Sequence, residues 1–316
     1  MTHRYRSALL AAALAAGLLA GCSGQSEKLK LATGPQGGTW YPLGGALKNA
    51  IEMQLGDVSV QVLPGGGIAN VMAVDSGKAD IALANSVSTV DAINGQPPFD
   101  AKATRVCNVA TLYPQYFQVV TLADAGIDTP TDLKGKALAT QPKGNTGEAM
   151  TAHLLQAYGL GYDDLSRVNY GSYTDSVGMM KDGNAQVFTL GTAIPAGAVM
   201  DLASARTIKL LDIPDDGLMQ MKTLNPGYQR IVIPAGTYPE QTRDVATIGY
   251  ATHIIVRCDL ADRFVTGVLD GVHGSLGDLA SVAKAIDKAT ARSMAEDIGV
   301  PMHPAAARWY ADKGAG

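Results

Sequence analysis

The chain has 316 residues, 17% of them charged, and a formal net charge of −4. That acidic balance argues against a nucleic-acid partner, and the length is enough for two domains with a core each. The opening stretch, MTHRYRSALLAAALAAGLLAGC, pairs Arg4 and Arg6 with an apolar run from Ala8 to Ala20 that is short for a membrane span. It reads as an export signal covering residues 1–21. Its end, Leu19-Ala20-Gly21-Cys22, resembles a bacterial lipobox, so Cys22 is expected to carry a lipid anchor and residues 22–27 to form a tether. Removing the signal takes away two of the 25 basic residues and none of the 29 acidic ones, leaving a net −6 on 295 residues. No later apolar run is long enough to cross a membrane, which points to a soluble, extracytoplasmic body. Cys107 and Cys258 could be joined in an exported protein or stay separate buried thiols; their spacing does not decide between these.

From Lys28 onward, short β-rich runs alternate with helical patterns, the signature of an α/β protein with mainly parallel sheets. Strands are expected at 29–33, 58–64, 79–85, 105–113, 116–122, 136–140, 167–171, 185–191, 208–213 and 252–258. After the first comes LATGPQGGTWYPLGGALKNAI, a glycine loop at an aromatic pair that runs into a helix. Leu43, Ala46, Leu47, Ala50, Ile51 and Leu55 fall on one face of that helix. The chain then repeats itself. SGKADIALANS (76–86) aligns in kind with DGNAQVFTLGT (182–192), and each lies about 40 residues after a glycine loop that opens a helix. The second such loop, LATQPKGNTGEAM, starts with the same three residues as the first, and Asn145 or Thr146 stands where a helix cap belongs. The last segment, MHPAAARWYADKG, predicts a helix started by Pro304 and seated by Trp309 and Tyr310.

A strand, glycine loop and helix start together expose backbone N–H groups and a partial positive charge, which suits an anion. Two such cradles could grip one anion from opposite sides, with Trp40 and Tyr41 as walls. Nucleotide loops fit poorly: G-x-x-x-x-G-K-[ST] is absent, and GGGIAN (65–70) has Asn70 where a dinucleotide loop needs its last glycine. Local enzyme motifs are also missing, and His153, His253, His273 and His303 keep no metal-ligand spacing. A triad assembled only by folding would leave no such local trace.

The motifs TGPQGGTWYPLGGALKNAI, GGGIANVMAVDSGKADIALANS, LKGKALATQPKGNTGEAM and VPMHPAAARWYADKG occur in this order, and together they resemble the TAXI group of TRAP-transporter solute-binding proteins from Lys28 almost to the C-terminus. The resemblance implies the type II periplasmic-binding-protein fold, α/β and two-lobed, with the ligand between the lobes and a hinge crossed twice. It implies a small organic carboxylate as ligand, such as an acidic amino acid or oxo-dicarboxylate, a TRAP membrane permease as partner, and no cofactor, metal or catalytic residue. The chain departs from the family's pattern at Trp40, at Asn145 and at Gln186, where the block often carries an acid.

Lobe one is expected at 28–117 plus 255–316 and lobe two at 118–254. The expected ligand contacts are Gly37, Gly38, Thr39, Trp40 and Tyr41 in the first loop, Asn85 and Ser86 at a strand end, and Gln115 at the crossing. Gly144, Asn145 and Thr146 in the second loop, with Gly191 and Thr192 in the repeat, complete the set. Tyr113 would flank the crossing, Lys143 would pair with a distal carboxylate or stay solvated, and Asp80 would accept from turn amides near Gly77. Two rivals share these features: an enzyme of the same architecture acting on a small anion, and a surface protein without transport duty.

Overall fold

The computed structural model describes residues 27–225 and 227–315. The export signal and Cys22 lie outside the described residues. In chain order the elements are β1 (Glu27–Ala32), α1 (Trp40–Leu55), β2 (Val58–Leu63), α2 (Gly67–Asp75), β3 (Ile81–Asn85), α3 (Ser86–Asn94) and the long β4 (Val106–Leu122). These are followed by β5 (Ala137–Thr140), α4 (Thr146–Ala157), β6 (Arg167–Tyr170), α5 (Tyr173–Lys181), β7 (Val187–Thr192), α6 (Gly197–Ala203), β8 (Ile208–Leu210) and α7 (Asp215–Leu224). Strands β9 (Gln229–Ile233) and β10 (Val245–Arg257) precede helices α8 (Asp262–Gly274), α9 (Leu276–Val282), α10 (Ala291–Met294) and α11 (Pro304–Asp312).

The main strand order, β2-β1-β3-β10-β4-β7-β5-β6, is a palindrome in architecture. Reading inward from either edge gives the second, first and third strand of one βαβαβ unit, then a long central strand. The repeat seen in the sequence is therefore one fold unit built twice. Its turns match in detail: Gly77 and Gly183 share a φ of +74°, and the amides after each return to the preceding helix, Ala79 to Ala73 and Ala185 to Met179. A side chain at that φ is strained, which is why glycine recurs there.

The outer pairs β1/β2, β1/β3, β5/β6 and β5/β7 are parallel, as expected, but every pairing of β4 and β10 is antiparallel. These two strands run along each other from Val106↔Arg257 to Phe117↔Ile248. Toward one end β10 pairs with β3 through Thr252–Val256; toward the other, β4 pairs with β7 from Tyr116 onward and β10 with β9 up to Gly249. The expected break at Pro114 is absent. Proline lacks an N–H for a ladder, yet it is tolerated where a strand has no second neighbour, and Pro114 lies, exposed, just before the pairing with β7 begins.

Burial follows the same division. Leu43, Leu47 and Ile51 of α1 pack with Val265, Val268 and Leu269 of α8 over β1, while Met150 and Leu154 of α4 join Phe117, Val119 and Ile248 in a separate cluster. Cys107 and Cys258 are joined in a disulfide, with a Cα–Cα distance of 5.0 Å. The last helix is placed as its sequence suggests: Pro304 is its first residue, Trp309 donates to Asp270 at 2.8 Å and Tyr310 to the Val109 carbonyl at 2.9 Å. Among the described residues no helix is long and apolar enough to cross a membrane.

Candidate ligand-binding site

Four helices start at one place. The N-caps of α1, α2, α3 and α4 are Thr39, Gly66, Asn85 and Asn145, and none of them uses its side chain to cap its own helix. The first N–H groups of a helix have no partner within it; Tyr41 N–H donates to the Gly38 carbonyl and Ala69 N–H to that of Gly144, and the four helix starts, each with a partial positive charge, border a common space. That space is a cavity of about 30 Å³ bordered by all four N-caps, and also by Trp40, Gly67, Gln115, Gln141, Thr146, Tyr173, Gly191 and Thr192. The fifth helix to reach it, α5, is closed by its own box: Ser172 accepts from Asp175 N–H and Asp175 accepts from Ser172 N–H at 3.0 Å. From that helix the cavity receives the Tyr173 ring instead.

The loop before α2 is held by Asn70, the residue that spoils a dinucleotide motif. Its Oδ1 accepts from Gly66 N–H at 3.0 Å, and its Nδ2 donates to the carbonyls of Thr33 and Leu83 at 2.7 Å each. A fully satisfied buried amide thus ties the start of α2 to the ends of β1 and β3. This leaves Gly66 and Gly67 against the opposite half: a Cβ on Gly66 would collide with Asn145 Oδ1, and one on Gly67 with Thr146 Oγ1. Further contacts bridge the cleft, from Thr39 to Thr192 at 3.1 Å, from Ser88 to Thr146 at 2.8 Å, and from Ala69 N–H to the Gly144 carbonyl at 3.0 Å.

No charged side chain lines the cavity among the described residues. Polar groups do. Gln141 is 1% exposed, its Nε2 donates to the Thr189 carbonyl, and its Oε1 has no partner among the described residues. Asn85 Oδ1 and Gln115 Oε1 are likewise buried without a partner. Trp40 is nearly buried and its indole N–H donates to Thr252 Oγ1 at 3.4 Å. Next to Thr252, on the other face of β10, His253 is enclosed between Thr89 Oγ1 at 2.9 Å and Asn108 Oδ1 at 3.0 Å. Burial pulls its pKa down to about 3, so it is neutral.

Of the residues expected from sequence, Gly38, Thr39, Trp40, Asn85, Gln115, Asn145, Thr146, Gly191 and Thr192 are gathered around the cavity; Gly37, Tyr41, Ser86 and Gly144 are not. Tyr41 is 52% exposed, because one step along a helix turns the side chain about 100° away from Trp40. Ser86 accepts from Ala251 N–H at 3.0 Å and lines a separate, larger groove of about 1000 Å³ along the central strands, where Tyr113 also lies. Gly37 packs on Thr174, and Gly144 serves through the carbonyl already described. Lys143 is outside the cavity, its ammonium 6.0 Å from the Tyr170 ring. Asp80 is structural but does not cap the Gly77 turn: it accepts from Lys30 N–H at 2.9 Å and from Arg257 at 3.0 Å. His153 bonds Tyr228 at 2.8 Å, away from the site.

Sequence reasoning missed Pro35, Gly66, Gly67, Gln141, Gly147 and Tyr173. The repeat relates some of them: Gly66-Gly67 opens α2 as Ser172-Tyr173 opens α5, whereas Gln141 stands where the first loop has Gly34 and leaves no such signal.

Solved structures share this architecture at low identity. PhnD1 from Prochlorococcus marinus in complex with methylphosphonate matches with a TM-score of 0.54 at 14% identity, covering 83% of this chain and 91% of that one. The alkanesulfonate-binding protein SsuA from Xanthomonas axonopodis pv. citri bound to MOPS gives 0.51 at 16%, covering 90% and 83%. A putative L-cystine ABC transporter protein from Listeria monocytogenes gives 0.50 at 14%, covering 83% and 97%. The fold is the two-lobed α/β architecture of the type II periplasmic binding proteins. The chain belongs to the NMT1-like family, which it matches over residues 31–314.

Proposed function

We propose that this protein is an extracytoplasmic solute receptor that closes on a small organic carboxylate and hands it to a membrane permease. The observation that carries the reading is the meeting of four helix starts without side-chain caps, three from one half and one from the other, at a single cavity. A carboxylate between them would gain donors from both halves, and only such differential affinity can favour the closed arrangement. The lobes are taken as residues 28–117 plus 255–316 and 118–254, bounds that lie a few residues beyond the points where β4 and β10 change neighbours, at Tyr116 and between Gly249 and Thr252. The ordered motifs shared with the TAXI group support a TRAP permease as the partner, and the lipobox supports anchoring at Cys22. No cofactor and no catalytic residue enter this reading.

The test is calorimetry with small carboxylates, followed by recovery of the solute. A receptor returns it unchanged; turnover would replace this reading with an enzyme. In a Trp309→Phe variant, emission from Trp40 shifts on binding, since its ring borders the cavity. A bound acid that leaves Trp40 emission flat would place the site elsewhere.

A further inference from the structure

We infer that the cavity selects a small α-hydroxy monocarboxylate and discriminates against dicarboxylates and amino acids; the inference rests on the receptor reading above. The chemistry at each end of the ligand leads there. The anionic group is satisfied by helix starts and needs no cation. A second carboxylate would find none: the described lining is uncharged, and Lys143, the cation of the second loop, stands outside beside Tyr170. An ammonium group would meet the same positive helix ends with no acidic side chain in the lining to offset them. Glu148, in the first turn of α4, is not in the lining, and its Oε1 accepts from Tyr162 at 2.9 Å.

What the cavity does ask for is a neutral donor. The orientation of Gln141 is fixed, because its nitrogen must face the Thr189 carbonyl, which can only accept. Its Oε1 is therefore an acceptor, buried and unanswered, and a buried acceptor without a donor is costly. The side-chain amides of Asn85 and Gln115 border the same space, but Gln115 meets the Thr252 hydroxyl, which both donates and accepts, so Gln141 alone has its oxygen fixed by a carbonyl. A hydroxyl next to the carboxylate supplies the missing donor without a charge.

The experiment is a matched series titrated calorimetrically into the purified protein: lactate, propionate, malate and alanine. Lactate is expected to bind at least ten-fold more tightly than each of the others. In a Gln141→Leu variant lactate falls to the affinity of propionate while propionate is unchanged; the series on the unsubstituted protein decides the matter even where that variant fails to fold. Malate or alanine binding as tightly as lactate overturns this inference and leaves the receptor reading standing, as does propionate matching lactate. Failure of all four acids, with no other small carboxylate bound, overturns both.

Discussion

Asp80 and Gln186 hold the same station in the two halves of the molecule. The Asp80 carboxylate accepts from Lys30 N–H at 2.9 Å, and the Gln186 amide oxygen accepts from Ala137 N–H at 2.9 Å. In return the backbone N–H of each donates to the carbonyl of that same strand residue, at 3.0 and 2.9 Å. Each residue thus pins the third strand of its unit to the first, just after the matched glycine turn.

An acceptor at this station is what matters, and its charge is secondary. Gln186→Leu leaves Ala137 N–H without its partner and is expected to cost about 1 kcal/mol in urea unfolding. Gln186→Glu, which keeps an oxygen in place, should stay within a few tenths of the unsubstituted protein. Equal loss in both variants would refute the shared role.

Gly67 is the point where a single methyl group tests closure. A Cβ there would overlap Thr146 Oγ1 across the cleft and crowd Asn85 Nδ2 in its own half, while each half keeps its own core. Gly67→Ala is expected to weaken ligand binding at least ten-fold with little change in melting temperature. It should also abolish ligand-induced compaction in small-angle scattering. Undiminished affinity would mean that the halves need not approach this closely.

The disulfide closes a loop spanning 151 residues, from β4 to the end of β10. Chain entropy for so long a loop gives about 5 kcal/mol, and removal of a native disulfide typically costs about 2–5 kcal/mol. The double variant Cys107→Ala/Cys258→Ala should therefore melt well below the oxidised protein and match it after reduction. A melting temperature indifferent to reductant would show that the bond contributes nothing in solution.

His253 sets a pH dependence whose sign follows from its burial. Its pKa is about 3 in the fold and about 6.5 in the unfolded chain, so between these values the unfolded state binds a proton that the native state refuses. Stability due to this group is complete above about pH 6.5 and falls as the pH drops toward 3, by at most about 1.4 kcal/mol per pH unit. His253→Asn should flatten the stability profile over that window. An unchanged slope would assign the acid sensitivity to other groups.

Much of this architecture was legible in the order of residues. Helix α1 and its buried face, most of the strands and the internal repeat all leave local periodic signals, and the repeat anticipated the palindrome of the sheet. Strand β9 and the first half of β10 were invisible, because VATIGYA carries no alternation: nearly every residue of it is buried on both faces. Pro114 misled for the opposite reason, being a true breaker in most settings. At the site, glycine and cap residues announced the helix starts, whereas Gln141 joins it only through tertiary packing. Tyr41 shows the limit of adjacency, since neighbours in a helix point apart. The pairing of Cys107 with Cys258 depends on β4 lying beside β10, a long-range fact that spacing does not encode.

If, as proposed, the grip on the anion comes from peptide groups at helix starts, ordinary point changes in side chains would leave it in place. Alanine scanning would pass over the groups that matter most. On that reading, preference for one acid over another would drift at Gln141, Asn85 and Gln115 while capture itself persisted, so descendants of this gene could acquire new diets without first losing the old ability to bind.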